Sequence, residues 1–425
     1  MKNLVEELTW RGLIHDIMPG TEEQLLKEMT AGYVGFDPTA DSLHIGNMVP
    51  IMLLVHLQRA GHKPIALVGG ATGMVGDPSG KTAERQLLSI EDIQHNLDCQ
   101  RKQLEQFLDF DCGENSAEVV NNYDWFKEIN FLDFIRDAGK HISVNYMLAK
   151  DSVKSRLETG MSYTEFSYQL IQGYDFYWLF ENKGVRLQMG GSDQWGNITT
   201  GTEFIRRKSG GEAFALTAPL IKKADGSKFG KSEGGNVWLD SEKTSPYKFY
   251  QYWINSSDED AKKYIRVFTL LDKDTIEALE KEHEEAPHIR TLQKKLAEEV
   301  TCMVHGQEQF EMAVAASSIL FGKSTAEDLK SIDERTLLAV FDGVPQADLT
   351  MADLEEGISI TEALASRTGF LKSNSEARRA LMDKCVSVNK ESVTSDKMVT
   401  KEDLINERFV VLQKGKKNYY LIKVA

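Results

Sequence analysis

A strand, a helix and a second strand follow one another near the start of the chain, and this arrangement constrains the fold more than any other feature. Residues 32 to 36 are predicted as a strand, an apolar helical pattern runs from near Ile45 to Gly61, and residues 64 to 68 form a second apolar strand. A strand–helix–strand unit of about 35 residues places its two strands parallel with a right-handed crossover. We therefore expect a parallel sheet in this part of the chain.

The same alternation continues toward the middle of the sequence. Four further elements are predicted: a charged helix over 90–110, a strand over 119–121, a helix over 163–181 and a strand over 185–189. Helices alternating with strands are typical of sheets that are covered on both faces. We predict an α/β fold in which residues 1–245 form a Rossmann-like, doubly wound parallel sheet.

The remainder of the chain shows other patterns. Charged amphipathic helices without strands are predicted over 246–320, an acidic connector over 321–357, and a small α+β domain over 358–425. Residues 361–425 hold 13 Lys and Arg against 8 Asp and Glu, whereas the whole chain carries a net charge of -15. A locally basic module suits contact with nucleic-acid phosphates, although small basic domains are also common without that role.

Composition narrows the class and the compartment. A chain of 425 residues with 41% hydrophobic content is expected to pack into two or three folded units. No apolar stretch approaches the roughly 20 residues of a membrane span, and the N-terminus lacks a secretory signal, so we expect a cytoplasmic protein with no membrane partner. The four cysteines lack the spacing of a disulfide framework or a zinc site.

Residues 35–47 leave the first strand and enter the helix that follows it. A helix N-terminus after a parallel strand offers unpaired amide groups to a phosphate. His44 and Thr39 would add side-chain donors, and Gly46 would allow close approach of a nucleotide base. Alone, a histidine at this position is more often a helix cap or a packed residue.

Residues 222–235 form a second candidate segment, rich in lysine and glycine. Glycines on both sides predict a mobile loop, and the ammonium groups of Lys228 and Lys231 could close over a triphosphate. The alternative interpretation is a solvated basic turn.

The two segments together resemble the HIGH and KMSKS signatures of class I aminoacyl-tRNA synthetases, as His44-Ile45-Gly46-Asn47 and Lys228-Phe229-Gly230-Lys231-Ser232. Four other segments resemble bacterial-type tyrosyl-tRNA synthetases: 33–40, 76–81, 162–172 and 190–197. The likeness covers essentially the whole chain. It implies activation of L-tyrosine with ATP to tyrosyl-adenylate and pyrophosphate, followed by transfer of tyrosine to the 3′ end of tRNA(Tyr). It also implies ATP as a substrate accompanied by Mg²⁺, no dedicated metal site, no tightly bound cofactor, and a homodimer. The aromatic and apolar stretch 126–148 is a candidate interface of that dimer.

The resemblance further implies roles for individual residues. The tyrosine phenol would contact Tyr33 and Asp175, its ammonium Asp77, Tyr168 and Gln172, and its carboxylate Gln194. Adenosine and the rest of ATP would be bound by Asp37, Gly46, Asn47, Gly191, Asp193, Lys231 and Ser232. The phosphates and the transition state would be held by Thr39, His44, Lys228 and Lys231.

Two positions depart from the family pattern. Asn47 stands where the signature has a second histidine, which keeps a hydrogen-bond donor but loses any imidazolium character. Val34 stands where many relatives have cysteine, and because valine cannot donate to a ribose we leave residue 34 out of the site.

The tail resembles an S4-type RNA-binding domain. Ser373 to Glu376 has the form of a capping box and opens a helix carrying Arg378 and Arg379, which the resemblance implies as RNA contacts. Residues 386–389 match the usual strand, whereas Asp383-Lys384-Cys385 departs from the glycine-containing turn often found there.

Two other functions remain open at this point. Residues 76–82 nearly form the phosphate-binding loop of nucleotide hydrolases, but they have three residues between the glycines where that motif needs four. Lys81, within this segment, also has a place in the synthetase interpretation. A non-catalytic RNA-binding protein derived from a synthetase is the second alternative.

Overall fold

A computed structural model describes residues 2–79, 88–150, 153–154, 160–232, 235–321, 326–415 and 418–425, with the backbone alone at 232, 320 and 321. The chain packs into two compact units. The first comprises residues 1–243 and 256–296, and the second comprises residues 244–255 and 297–425.

The first unit is built on a six-stranded sheet with the strand order β1-β6-β5-β2-β3-β4. Its strands are β1 Asp16–Ile17, β2 Ala31–Phe36, β3 Lys63–Val68, β4 Glu118–Asn121, β5 Val185–Gly191 and β6 Phe214–Ala218. Only β1 runs antiparallel, beside β6, and the other five strands are parallel. The predicted Rossmann-like parallel sheet is therefore confirmed.

Helices cover this sheet and continue beyond it. In chain order to residue 209 they are α1 Leu4–Arg11, α2 Thr21–Lys27, α3 Met48–Arg59, α4 Gly70–Val75, α5 Ile90–Leu104, α6 Tyr123–Phe126, α7 Phe131–Asp137, α8 Val144–Leu148, α9 Tyr163–Lys183 and α10 Trp195–Ser209. The later helices are α11 Pro246–Ile254, α12 Asp258–Phe268, α13 Lys273–Glu285, α14 Thr291–His305, α15 Gln307–Phe321, α16 Ala326–Ser331, α17 Glu334–Val340, α18 Met351–Glu356, α19 Ile360–Leu364 and α20 Asn374–Met382.

Helix α5 ends at Leu104, before the predicted end at residue 110. A contact from a distant segment explains the difference. The side chain of Gln58 donates to the carbonyl of Asp109 at 2.6 Å and accepts from its amide at 3.0 Å. These bonds satisfy the backbone of Asp109 outside a helix, so the chain turns away.

The order of connection in the sheet reverses at β2. From β2 the chain crosses to β3 on one side, whereas β5 pairs with β2 on the other side. Ligands of open α/β sheets bind at the carboxyl ends of strands at such a switch point. The segments that leave β2 at Asp37 and β5 at Ser192 therefore lie where a site is expected.

The second unit contains a five-stranded sheet with the order β12-β11-β14-β15-β9. The later strands are β7 Lys231–Ser232 and β8 Gly235–Asn236, which belong to the first unit, then β9 Gln346–Leu349, β10 Ile358–Ser359, β11 Val386–Val388, β12 Glu391–Ser392, β13 Met398–Val399, β14 Phe409–Lys414 and β15 Asn418–Val424. Strand β9 lies within the range predicted as a connector, and it pairs in parallel with β15.

Helix α20 begins where the sequence predicts, but its capping box is only half formed. Ser373 Oγ accepts from the amide of Glu376 at 3.2 Å, whereas the Glu376 carboxylate accepts from the amide of Lys372 at 3.1 Å instead of from Ser373. After the helix, Lys384 adopts a φ of +51°. This residue takes the left-handed conformation that a glycine would adopt more easily in the turn.

Within the described part of the chain, no helix combines the length and the apolar character that crossing a membrane requires.

Candidate active site

The two signature segments, far apart in sequence, lie side by side in the first unit. The segment around His44 forms a short antiparallel bridge with Trp238, in which the amide of Ile45 donates to Val237 at 2.9 Å. The amide of Val237 in turn donates to the carbonyl of Gly230 at 3.0 Å. Backbone hydrogen bonds therefore connect the two segments through residues 237–239.

Gly230 lies against the first signature segment. It has a φ of +84°, and a Cβ atom added there would lie 3.5 Å from Ile45 Cγ1 and 3.6 Å from the Gly46 amide nitrogen. A side chain at this position would be strained by the backbone conformation and would fill the contact.

His44 caps the short 3-10 turn Ile45–Asn47. Its Nδ1 accepts from the amide of Gly46 at 3.0 Å, and Asn47 Oδ1 accepts from the amide of His44 at 3.0 Å. Because Nδ1 accepts, the proton of the neutral ring is on Nε2. A Cβ atom at Gly46 would lie 2.7 Å from the His44 ring, so glycine permits this folded-back ring.

The lysines of the second segment lie on a hairpin. Lys222 and Lys228 pair in an isolated bridge, and Lys231 and Ser232 form β7, which pairs with β8. The side chains of Lys228 and Lys231 are exposed. The Ser232 side chain and residues 233–234 lie outside the described residues.

Tyr33 and Asp175 lie at the buried end of the site, each 1% exposed. Burial raises the pKa of Asp175 to about 8, and hydrogen bonds from Asn122 Nδ2 at 3.0 Å and Trp125 Nε1 at 2.9 Å oppose that shift. Burial and the charge of Asp175 raise the pKa of Tyr33 well above its ordinary value. Among the described residues, no group bonds the Tyr33 hydroxyl.

Sequence reasoning missed several residues of this buried end. Asn122 and Trp125 follow β4, and the Trp125 ring stacks on Trp178 at 4.2 Å. Gln188 is the cross-strand neighbour of Tyr33, and its Oε1 is buried without a partner among the described residues. Their place in the sequence is the signal that could have found them. Polar residues that lie in, or just after, the parallel strands at a predicted switch point are candidates for a binding site.

A second polar cluster surrounds Asp37 at the end of β2. The hydroxyl of Tyr168 donates to Asp37 Oδ2 at 2.9 Å, and Thr72 donates to Asp37 Oδ1 at 2.8 Å. Burial and the charges of Asp37 and Asp77 raise the pKa of Tyr168 well above its ordinary value. The Asp37 side chain, expected on the nucleotide side, thus contacts a residue expected at the amino-acid ammonium.

A third cluster joins Asp77 and Gln194. Gln194 Nε2 donates to Asp77 Oδ2 at 2.7 Å, and the Ser79 amide donates to Asp77 Oδ1 at 2.9 Å. Gln172, on α9, is half-buried, and its Oε1 has no partner among the described residues. Lys81, nearby in sequence, lies outside the described residues.

The remaining predicted residues are more open. Thr39 is exposed just after β2, and its amide donates to the carbonyl of Asp37 at 2.9 Å. Gly191 ends β5, and a Cβ atom there would lie 2.6 Å from Asp193 Oδ1. Arg378 and Arg379 are exposed on α20 in the second unit.

Known families and structures match this chain along its length. The family described as tRNA synthetases class I (W and Y) matches residues 26–322, and the tyrosine–tRNA ligase SYY-like C-terminal domain matches residues 337–422. A tyrosine–tRNA ligase of Flavobacterium johnsoniae is 65% identical and one of Cytophaga hutchinsonii 60% identical, each over 100% of both chains. The solved C-terminally truncated mitochondrial tyrosyl-tRNA synthetase of Aspergillus nidulans is 30% identical with a TM-score of 0.67, covering 76% of this chain and 95% of that one.

Proposed function

Since the chain belongs to the class I tyrosyl-tRNA synthetases and is a tyrosine–tRNA ligase, we propose that tyrosine is activated where the segments 44–47 and 228–232 meet the pocket of Tyr33 and Asp175. The observation that carries this assignment is the buried pair Tyr33 and Asp175 at the switch point of the sheet. On this proposal residues 1–245 bind tyrosine and ATP, and residues 358–425 bind RNA.

The buried pair suits a phenol better than a plain aromatic ring. Asp175 would accept a hydrogen bond from the substrate hydroxyl, and the Tyr33 hydroxyl would donate to the substrate oxygen. Phenylalanine would leave the Tyr33 hydroxyl without a partner in a desolvated pocket and would deprive Asp175 of the hydrogen bond from the substrate, at a cost of roughly 1–3 kcal/mol for each group. Asn122 and Trp125 support this selection by orienting the Asp175 carboxyl.

The polar clusters above this end suit the other groups of the amino acid. Asp77, Tyr168 and Gln172 would hold the ammonium, and the bond from Gln194 to Asp77 fixes the orientation of both side chains. Gln194 would also contact the carboxylate. The bond from Tyr168 to Asp37 gives Asp37 a structural part in this end in addition to its proposed contact with adenosine.

ATP would lie across the two signature segments. Asp37, Gly46, Gly191 and Asp193 would surround adenosine, and Asn47 orients His44 by accepting from its amide. Thr39, His44 Nε2, Lys228 and Lys231 would bind the phosphates, with the Ser232 segment beside them. Mg²⁺ would arrive with ATP and neutralise phosphate charge.

The chemistry needs no protein nucleophile. A carboxylate oxygen of tyrosine attacks the α-phosphorus, the bond from that phosphorus to the β-bridging oxygen breaks, and pyrophosphate leaves with its electron pair. The chain contributes by positioning the reactants and by stabilising the charge that grows on the phosphates.

The second step and the assembly complete the proposal. The exposed Arg378 and Arg379 on the basic tail would contact tRNA(Tyr), whose 3′ end receives the tyrosine. Helix α7 exposes Phe131 at 66% and Leu132 at 74%, which supports a homodimer through this apolar face. We also propose that the enzyme acts in the cytoplasm.

Pyrophosphate exchange with each amino acid in turn tests the proposed activity. We expect label to move from pyrophosphate into ATP with tyrosine and not with phenylalanine or tryptophan. Hydrolysis of ATP without any amino acid would favour a nucleotide hydrolase, and tRNA binding without any turnover would favour a non-catalytic RNA-binding protein. His44→Ala serves as the control variant, because it should abolish most of the exchange while preserving tyrosine binding.

A further inference from the structure

Helix α12 carries an aromatic pocket that holds the middle of the second signature segment. The Phe229 ring stacks on Phe268 with centroids 5.2 Å apart and planes within 7°, and it meets Tyr264 edge-on at 5.1 Å. Phe229 is 6% exposed, whereas the lysines on both sides of it, Lys228 and Lys231, are exposed. The segment is therefore fixed at its centre and open at its charged positions.

A hydrogen bond ties the start of the same hairpin to the same helix. The amide of Ala224 donates to Asp260 Oδ1 at 2.9 Å, and the hydroxyl of Ser257 donates to Asp260 Oδ2 at 2.8 Å. Ser257 is also the N-cap of α12. The buried Asp260 thus joins the hairpin to the first turn of the helix.

The other end of α12 is held by Arg11 of the N-terminal helix. The Arg11 guanidinium donates to the carbonyls of Arg266 at 2.7 Å, Thr269 at 2.9 Å and Leu271 at 2.6 Å. These carbonyls lie at or just beyond the helix C-terminus, where intrahelical partners run out. Both ends of α12 are therefore anchored, which makes it a firm support for the hairpin.

We propose that Phe229, seated between Tyr264 and Phe268, is a positioning residue that sets where Lys228 and Lys231 stand relative to His44. Gly230 follows Phe229 directly and lies against Ile45 and Gly46, so a shift of the Phe229 ring would move the contact between the two segments. This inference rests on the proposed function of the lysines in ATP activation. It adds that three aromatic rings outside the substrate pocket control the phosphate-binding step.

Two matched substitutions of Phe229 test the proposal in the full-length enzyme. Phe229→Ala removes both ring contacts, whereas Phe229→Met keeps a flexible apolar group that can pack against aromatic rings. We expect Phe229→Ala to lower kcat/KM for ATP in tyrosine-dependent pyrophosphate exchange by about tenfold to a hundredfold, and Phe229→Met to retain activity within about threefold. The dissociation constant of tyrosine, measured without ATP, should stay unchanged in both variants.

Phe214→Ala provides the control for a general packing defect. Phe214 is equally buried, but it starts β6 at the amino end of a parallel strand, away from the carboxyl ends that carry the site. The pyrophosphate-exchange activity of Phe214→Ala, per folded molecule, should match that of the wild type. Equal losses in Phe229→Ala and Phe214→Ala, or a parallel loss of tyrosine affinity in Phe229→Ala, would overturn the positioning role.

Limited trypsin digestion supplies a readout of hairpin position that does not depend on activity. Cleavage after Lys228 and Lys231, identified by mass spectrometry, should become at least about fivefold faster in Phe229→Ala than in wild type, because buried contacts restrain local opening. Unchanged cleavage would overturn the proposal. If Phe229→Ala does not fold, a comparison of Asp260→Ala with Asp260→Asn tests the same support of the hairpin. Only the alanine removes the acceptor for the Ala224 amide. Equal exchange activity and equal cleavage in these two variants would count against the role of α12 in holding the hairpin. Absence of tyrosine-dependent exchange in the wild type would instead refute the proposed function.

Discussion

Replacement of Asp175 by asparagine should change how the stability of the first unit depends on pH. The carboxyl has an ordinary pKa of 3.8, and burial raises its pKa to about 8 in the folded chain. Between these values the folded state holds a proton that the unfolded state has released, so the free energy of unfolding falls as pH rises. The stability that the folded state gains by keeping Asp175 protonated is fully present below the unfolded pKa. It is lost as pH rises through the folded pKa.

The magnitude follows from one proton. For a difference of one bound proton, the free energy of unfolding changes by about 1.4 kcal/mol per pH unit. The wild type should therefore lose about 2 kcal/mol of stability between pH 6 and pH 8 relative to Asp175→Asn. For a unit of this size, that difference corresponds to about 4 °C in Tm. Other titrating groups cancel when the two proteins are compared at each pH.

Thermal unfolding in matched buffers measures this difference. The Tm of Asp175→Asn minus the Tm of the wild type should increase by about 4 °C from pH 6 to pH 8. Trp125→Phe is the matched control, because it removes one hydrogen bond to Asp175 but keeps the carboxyl and therefore the pH dependence. A Tm difference that stays constant across this range would mean that Asp175 is ionised throughout and that burial does not raise its pKa.

Three further variants address the phosphate site, the tail and the interface. Lys231→Ala should slow pyrophosphate exchange by about a hundredfold while tyrosine affinity persists, and an equal loss of tyrosine affinity would remove Lys231 from the phosphate site. Arg378→Ala combined with Arg379→Ala should weaken tRNA binding and reduce its salt slope by about 2 without slowing adenylate formation; an unchanged slope would contradict their contact with RNA. Leu132→Asp should shift the protein toward a monomer in light scattering, and a persistent dimer would exclude the α7 face as the interface.

The parallel sheet could be predicted from sequence because periodic and local signals agree. The apolar strand over 64–68 and the helix before it leave few topologies open, and a right-handed crossover then orders them. Strand β9 was missed for the opposite reason. Its four residues Gln346–Leu349 alternate between polar and apolar, but over too short a run to mark a strand, and their partner β15 lies at the far end of the chain.

Some residues of the candidate site could likewise be predicted from the sequence, and others could not. His44, Lys228 and Lys231 stand in short motifs that can be recognised without a structure. Asn122 and Trp125 carry no motif, and their importance comes from tertiary bonds to a carboxyl more than 45 residues away in sequence. The aromatic pocket that holds Phe229 also depends on tertiary contacts. It is formed by α12, whose aromatic residues look like ordinary core positions in the sequence.

The ratio of kcat/KM for tyrosine to that for phenylalanine in pyrophosphate exchange tests the account most directly. Tyr33 and Asp175 are each buried, and a substrate without a hydroxyl forms no hydrogen bond with either side chain, so the wild type should prefer tyrosine by at least about 30-fold. Tyr33→Phe should lower that ratio by about tenfold or more, because kcat/KM for tyrosine falls. A ratio unaffected by Tyr33→Phe would show that the phenol is recognised elsewhere, and the assignment of this pocket would be wrong.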